Sequence, residues 1–115
     1  MTVTIYHNPR CSKSRETLKL LESRGVSPTV VEYLKTPPTA AELQDILAKL
    51  GYGPRQLMRT KEEEYKQGGL DATNLSDADL IAAMVSTPKL IERPIVLANG
   101  KAAVGRPPES VLDIL

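Results

Sequence analysis

The amino-acid sequence predicts an α/β fold built around a mixed, four-stranded β-sheet. Three observations support this prediction: a strand, a helix and a strand follow one another at the N-terminus, helical patterns dominate the middle, and a tight hairpin and a short helix end the chain. A β-α-β unit gives two parallel strands, whereas a hairpin adds antiparallel strands. We therefore expect one sheet that contains both kinds of strand pairing.

The N-terminal β-α-β unit contains the only cysteine of the chain. Residues 2–6 alternate polar with β-branched side chains and predict the first strand. A helix is expected to begin at Ser12 and to end before Gly25, and residues 29–33 predict the second strand. Cys11 then lies in the turn between strand and helix, at the N-terminus of the helix.

Two capping boxes mark helices in the middle of the chain. Thr39 with Glu42, and Ser76 with Asp79, have the spacing at which side chain and backbone cap each other, and Pro88 limits the second helix. The sequence between these helices predicts short helical segments at residues 55–58 and 61–66. The acidic run at residues 62–64 is expected to be a solvated helix face without chemistry.

The last two strands form a predicted hairpin around Asn99-Gly100, a dipeptide that two-residue turns prefer. Residues 95–98 and 101–104 are its strands, and Pro107 suits the first turn of a closing helix. The element order is then β-α-β, a helical insertion at about residues 39–88, and β-β-α. This order is the thioredoxin-like plan, and residues 1–115 are expected to form a single domain of this kind.

Composition excludes several classes of function. A net charge of +1 provides no broad positive surface for nucleic acid or an anionic membrane, and the longest apolar run, residues 80–85, is too short to span a bilayer. One cysteine can form neither an internal disulfide nor a cysteine-based zinc cluster, which fits a reducing compartment. We expect a cytoplasmic protein with no bound metal.

Basic residues surround Cys11 in the sequence: His7, Arg10, Lys13 and Arg15. The free N–H groups and the dipole at a helix N-terminus also favour a thiolate over a thiol. Such surroundings lower a cysteine pKa from ~8.5 to ~3.5–7.5, which makes the sulfur nucleophilic at neutral pH. The pattern therefore predicts a reactive cysteine rather than an inert buried one.

The same turn is expected to bind an oxyanion, because backbone N–H groups at a helix N-terminus bind phosphate-like ions. Ser12 is expected to cap the helix. Ser14 either caps the helix as well or forms a hydrogen bond with the thiolate or the bound anion. His7, at the end of the first strand, is the candidate partner that stabilises the thiolate.

Four motifs, in order, carry a resemblance over nearly the whole chain. They are His-Asn-Pro-x-Cys-x-x-Ser-Arg at residues 7–15, Met-Arg-Thr at 58–60, Glu-Arg-Pro-Ile at 92–95 and Gly-Arg-Pro-Pro-Glu at 105–109. The sequence resembles the glutaredoxin-dependent arsenate reductase family, the ArsC type. The resemblance implies that Cys11 is the nucleophile, that His7 stabilises its thiolate, and that Pro94 follows a cis peptide bond. It also implies that three arginines bind the oxyanion: Arg59, Arg93 and Arg106.

The single cysteine also limits the chemistry. Reduction of arsenate to arsenite needs two electrons, and a chain with one cysteine cannot supply them through an internal disulfide. The electrons must come from an external thiol, by way of a covalent adduct on Cys11. The resemblance implies glutathione and then glutaredoxin as partners, with no bound cofactor.

Two alternatives stay open. An Spx-like regulator has the same fold and binds RNA polymerase, but that family usually carries Cys-x-x-Cys, and the second position here is Ser14. A glutathione-linked thiol reductase would use the arginines to bind a carboxylate of another substrate. A low-molecular-weight phosphatase is excluded, because its loop needs arginine at the position of Thr17.

Overall fold

The computed structural model of the protein describes residues 2–115. Its strands are β1 (Val3–His7), β2 (Thr29–Glu32), β3 (Ile95–Ala98) and β4 (Lys101–Val104). Within the described residues they form one sheet in the order β2-β1-β3-β4. β1 is parallel to β2 and antiparallel to β3, and β3 is antiparallel to β4. The prediction of a mixed sheet is confirmed.

The α-helices of the described chain are α1 (Ser12–Ser23), α2 (Ala40–Leu50), α3 (Glu63–Gln67) and α4 (Asp77–Ser86). Three 3₁₀ helices accompany them, at Pro54–Leu57, Pro88–Leu90 and Pro108–Ile114. Helices α1, α2 and α4 begin where the sequence predicted. The predicted closing helix is a 3₁₀ helix, and it begins one residue after Pro107.

The chain divides into two compact units. The first consists of the residues up to Thr36 together with Arg93–Leu115, and the second is Pro37–Glu92. The second unit spans the predicted helical insertion, with two further residues at its start and four at its end. No described helix is both long and apolar enough to cross a membrane.

The first unit has a core made by alternate residues of its two central strands. Val3 and Ile5 of β1 pack with Val96 and Ala98 of β3, because side chains two apart lie on the same face of a sheet. Helix α1 and the closing 3₁₀ helix cover this face and contact each other. Their buried contributions are Leu21, Val111 and Ile114. Burial of this face holds the end of β1 and the start of α1 together.

The hairpin between β3 and β4 has the predicted register. Asn99 and Gly100 both have positive φ angles, 54° and 72°, as a two-residue turn of the preferred type requires. Ile95 pairs with Val104, so the residues before β3 and after β4 leave the sheet at the same end.

Two further backbone features lie beside this end of the hairpin. The peptide bonds that precede Pro94 and Pro107 are both cis; the first was implied by the resemblance and the second was not. A Cβ atom on Gly105 would lie 2.5 Å from Thr17 Oγ1 and 2.8 Å from Pro94 Cγ. Glycine at this position therefore lets the chain after β4 approach both α1 and the cis proline.

The second unit begins and ends its main helices as the capping boxes predicted. The Glu42 N–H donates to Thr39 Oγ1 and the Asp79 N–H donates to Ser76 Oγ, each at 3.1 Å. Helices α2 and α4 contact each other. Both helices bury an apolar face, which contains Leu43, Ile46 and Leu47 of α2 and Leu80, Ile81 and Met84 of α4.

A short antiparallel bridge joins the middle of the second unit to its C-terminal end. Met58 is bridged to Ile91, the Arg59 N–H donates to the Leu90 carbonyl at 2.7 Å, and the Glu92 N–H donates to the Leu57 carbonyl at 2.7 Å. This pairing fixes the backbone of Arg59, a candidate site residue, against the segment that contains Lys89.

Candidate active site

Cys11 is the N-cap residue of α1. Its backbone is extended, its N–H donates to the Asn8 carbonyl at 3.0 Å, and its side chain is only 8% exposed. No side chain caps this helix. The prediction that Ser12 caps α1 is therefore wrong: Ser12 is the first residue inside the helix, and it is exposed. The free N–H groups of the first turn remain available to the sulfur.

The pKa of Cys11 lies below that of an ordinary thiol. Burial opposes ionisation and raises the pKa, but hydrogen bonding from the Ser14 backbone, the positive charge of Arg93, hydrogen bonding from the Lys13 backbone and a hydrogen bond from the Arg93 side chain together outweigh it. The contributions come from two parts of the chain, the start of α1 and the segment before β3. This environment stabilises a thiolate.

The side-chain charges of Lys13 and Arg15 were expected to stabilise the Cys11 thiolate, but both side chains have other partners. Lys13 affects the thiol through its backbone N–H, while its ammonium group lies 3.4 Å from Glu16. Arg15 donates from Nη1 to the Pro9 carbonyl at 3.0 Å and so holds the loop before α1. The guanidinium group that stabilises the thiolate is that of Arg93, which is far away in sequence.

His7 contacts Ser14. The His7 Nδ1 atom lies 2.6 Å from Ser14 Oγ, and the Asn8 N–H donates to the same oxygen at 3.0 Å. His7 is the last residue of β1, Ser14 lies in the first turn of α1, and both side chains are buried. The pair therefore joins the end of the strand to the start of the helix.

The protonation state of this pair follows from its surroundings. Burial lowers the pKa of His7, the Glu32 carboxylate opposes this, and Arg15 lowers it further, with a net decrease. The ring is therefore neutral at pH 7. Ser14 Oγ accepts from the Asn8 N–H, and the tautomer of the His7 ring sets the direction of the hydrogen bond between Nδ1 and the hydroxyl group.

The expected roles of His7 and Ser14 are thereby refined. The Ser14 hydroxyl group bonds to His7 and Asn8, and it is the Ser14 backbone that forms a hydrogen bond with Cys11. The contact between His7 and Ser14 gives His7 an indirect route to the sulfur, through the position of the first turn of α1.

Arg93 and Arg106 lie together at the end of the β3–β4 hairpin. Arg106 Nη1 donates to the Arg93 carbonyl at 3.5 Å, and the Arg93 side chain forms its hydrogen bond with Cys11. The structure therefore brings five of the six predicted site residues together within the first unit. A thiolate, free helix N–H groups and guanidinium groups are the components that bind and attack an oxyanion.

Arg59, the third candidate arginine, lies in the second unit and has a carboxylate partner. Its Nη1 atom is 2.7 Å from Glu62 Oε1, and the two side chains are 25% and 18% exposed. Lys89 Nζ lies 3.5 Å from Glu62 Oε2 and 3.3 Å from Glu64 Oε2. The pKa of Lys89 is raised, first by its hydrogen bond to Glu64 and then by the charges of Glu64 and Glu62.

The prediction that residues 62–64 form a solvated face is wrong for two of the three. Glu62 and Glu64 are partly buried and paired with cations, and only Glu63 is exposed. The spacing of Glu62 three residues after Arg59 is a signal that the sequence contains. No local sequence pattern indicates that Lys89 pairs with Glu62 and Glu64, because the antiparallel bridge brings Lys89 to them from a distant part of the sequence.

Arg55 is a structural arginine that sequence reasoning did not identify. Its guanidinium group donates to the Tyr65 hydroxyl group and to the carbonyls of Leu70 and Ala72, the last at 3.1 Å. It thereby connects the Pro54–Leu57 helix with the turn after α3. Arg55 is occupied by these contacts and stabilises the second unit.

The sequence of the chain is similar to that of known proteins. Residues 6–114 match the model of the ArsC family. The chain is 61% identical over 114 residues to the uncharacterized protein YfgD of Escherichia coli (strain K12), with 98% of this chain and 96% of that protein covered. It is 55% identical over 114 residues to an arsenate reductase of Neisseria meningitidis serogroup A, with 98% and 97% covered.

A solved structure is also closely similar. The arsenate reductase from Vibrio cholerae is 57% identical and superposes with a TM-score of 0.98, with 100% of this chain and 98% of that chain covered. The fold is therefore the thioredoxin-like fold that the order of strands and helices predicted.

Replacement of Arg93 with alanine is expected to raise the pKa of Cys11, because the thiolate loses a positive charge and a hydrogen bond. Iodoacetamide alkylates only the thiolate, so its rate against pH reports on this single cysteine. The midpoint should lie below that of an ordinary thiol in the wild type and at higher pH in Arg93→Ala. Arg24→Ala removes an exposed arginine of the same unit and should leave the midpoint unchanged. Identical midpoints for the wild type and Arg93→Ala would contradict this assignment.

Ser14→Ala is expected to destabilise the protein by about 1–3 kcal/mol, since His7 Nδ1 and the Asn8 N–H would lose their buried partner. Urea unfolding monitored by circular dichroism measures the change. Ser12→Ala removes an exposed hydroxyl two residues away and should change the free energy of unfolding by less than about 0.5 kcal/mol. If the two variants were equally stable, the His7–Ser14 contact would have no structural importance.

Proposed function

The chain belongs to the ArsC family, and on this premise we propose that it reduces arsenate to arsenite with Cys11 as the nucleophile. One observation supports the proposal most strongly. Burial raises the pKa of Cys11, but backbone hydrogen bonds and Arg93 lower it by a larger amount. A nucleophilic thiolate is thereby favoured at a place where an oxyanion can bind. Relatives that are named arsenate reductase support an oxidoreductase activity.

In the first step, the Cys11 thiolate attacks the arsenic atom of arsenate. An arsenic–sulfur bond forms, and one arsenate oxygen leaves as water after it is protonated. Arsenic remains in the As(V) state in this adduct, because a sulfur ligand has only taken the place of an oxygen ligand. The adduct is an anion, so its oxygens require positive charge or hydrogen-bond donors.

Arginine side chains supply these donors. A planar guanidinium group gives two parallel charge-assisted hydrogen bonds to a tetrahedral oxyanion, whereas lysine acts as a single point charge. The contact of Arg93 with the Cys11 sulfur and the proximity of Arg106 to Arg93 support this role for both residues. Arg59 is included through the family motif that it matches.

The electrons come from outside the chain in this proposal. A glutathione thiol first forms a second arsenic–sulfur bond, with loss of another water molecule. Both arsenic–sulfur bonds then break as the two sulfurs join in a mixed disulfide on Cys11. The electron pair that stays on arsenic gives As(III), which takes up one water molecule and leaves as arsenite. A glutaredoxin thiolate attacks the disulfide and restores the Cys11 thiolate. One cysteine in the chain is consistent with this sequence of steps.

Two further parts of the proposal concern the location of the protein and its class. A cytoplasmic location is inferred from the free thiol and the need for reducing partners. The preference for an enzyme over an RNA-polymerase-binding regulator is supported by Ser14, which stands where a sensor would have its second cysteine and is hydrogen-bonded to His7. A thiol reductase that acts on another substrate is the alternative within the same class.

Cys11→Ser is expected to abolish arsenate reduction, because serine is not ionised at neutral pH and forms no disulfide. The assay measures arsenite formation with glutathione and glutaredoxin, each added or omitted. Ser12→Ala, the adjacent exposed position, should retain activity. Arsenite formation by Cys11→Ser would rule out Cys11 as the nucleophile, and a folded wild-type protein without any turnover would favour another substrate.

Arg106→Ala is expected to weaken arsenate binding by about 10-fold or more, since a charge-assisted hydrogen bond contributes ~1.5–3 kcal/mol. Arsenate that occupies the site protects Cys11 from iodoacetamide, and the arsenate concentration that gives half protection measures its Kd without turnover. Arg24→Ala serves as the control for loss of one positive charge. Equal half-protection concentrations in the two variants would remove Arg106 from the binding site.

A further inference from the structure

We propose that Glu62 is a positioning residue that holds the guanidinium group of Arg59 in the orientation for oxyanion binding, while Lys89 offsets the negative charge of Glu62. This inference rests on the proposed function for its consequence, because it concerns an arginine of the proposed anion site. Its physical basis lies entirely within the second unit. It makes Glu62 and Lys89 determinants of arsenate affinity, although neither is expected to touch arsenate.

The contact between Arg59 and Glu62 is short and partly shielded from water. Arg59 Nη1 and Glu62 Oε1 are 2.7 Å apart, and the side chains are 25% and 18% exposed. Glu62 is the N-cap residue of α3, so its backbone is tied to the start of a helix. An arginine side chain otherwise samples many rotamers, and a partner of this kind removes that freedom before an anion binds.

The backbone on both sides of this contact is also fixed. The Arg59 N–H donates to the Leu90 carbonyl at 2.7 Å, and the Glu62 N–H donates to the Arg59 carbonyl at 3.1 Å. Both ends of the salt bridge therefore start from anchored backbone, which limits the positions that the guanidinium group can reach. One of its five N–H donors is used by Glu62 in this geometry, and the remaining donors can serve an oxyanion.

Lys89 reduces the electrostatic repulsion that Glu62 would exert on an anion. A carboxylate beside Arg59 would cancel its positive charge and repel an incoming dianion. Lys89 Nζ lies 3.5 Å from the second oxygen of Glu62, so its positive charge offsets the negative charge of the carboxylate. Glu64, 3.3 Å from the same ammonium group, holds Lys89 at this place. With both cations and both carboxylates counted, the cluster is neutral, and without Lys89 it would carry a net negative charge.

The experiment compares three replacements of Glu62. Glu62→Ala removes the contact, Glu62→Asp keeps the charge but shortens the side chain by one methylene, and Glu62→Gln keeps the reach and an acceptor oxygen but loses the charge. Protection of Cys11 from iodoacetamide by arsenate gives the Kd, and steady-state kinetics give KM and kcat. Glu63→Ala is the matched control, because Glu63 is an exposed glutamate in the same run.

A positioning role predicts that Glu62→Ala and Glu62→Asp raise the Kd and KM for arsenate by about 5-fold, while kcat changes by less than about 2-fold. Glu62→Gln should be closer to the wild type than Glu62→Asp, because reach matters more than charge. Lys89→Met should also raise the Kd, by about 2-fold, since Glu62 is then no longer offset. A Kd for Glu62→Ala equal to that of Glu63→Ala would overturn the proposal.

A second measurement separates this inference from the proposed function. The ¹⁵N order parameter of the Arg59 Nε–H group, identified by its absence in Arg59→Lys, should fall in Glu62→Ala and stay high in Glu63→Ala and Lys89→Met. An unchanged order parameter in Glu62→Ala would refute the positioning role whatever the activity. The order parameter could also fall in Glu62→Ala while arsenate fails to protect Cys11 even in the wild type. That result would support the positioning of Arg59 and refute arsenate as the ligand.

Discussion

Stabilisation of the ionised form of a nearly buried thiol is the constraint on which the rest of this structure depends. Burial alone would keep Cys11 protonated, so the fold must supply donors and positive charge at the sulfur from more than one direction. Hydrogen bonds from the first turn of α1 provide the local part, since Cys11 is its N-cap and no side chain competes for those groups. Arg93 provides the part that only a folded chain can supply. Reactivity is thus a property of the assembled unit.

The mixed sheet explains how Arg93 reaches that sulfur and why Arg106 lies beside Arg93. A hairpin reverses the chain, so Arg93, two residues before β3, and Arg106, two residues after β4, leave the sheet at the same end. That end lies beside the N-terminus of α1, and Gly105 permits the close approach because a side chain there would collide with Thr17. Strand pairing, the helix N-terminus and the absence of a side chain at Gly105 therefore all contribute to the surroundings of Cys11.

Several charged and polar side chains that the proposal involves are held in pairs, each within its own unit. Ser14 satisfies His7 on one side of Cys11 while its backbone bonds to the sulfur, and Glu62 holds Arg59 in the second unit. Each pair exchanges side-chain freedom for a defined orientation before any substrate arrives. Preorganisation of this kind makes an anion site effective, because donors that are already oriented need little rearrangement when charge develops.

Local patterns in the sequence were sufficient for the order and type of most elements, for both capping boxes, for the hairpin and for the placement of Cys11 at the start of α1. Each depends on residues within a few positions of one another, where backbone preferences and side-chain caps act directly. The family motifs added the three arginines. Tertiary structure alone decided that Arg93 is the charge at the thiolate, that the Ser14 hydroxyl group serves His7, and that Lys89 joins Glu62. These contacts depend on strand pairing, on helix packing and on the bridge between Met58 and Ile91, which bring together residues that are distant in sequence and have no local signal to reveal them.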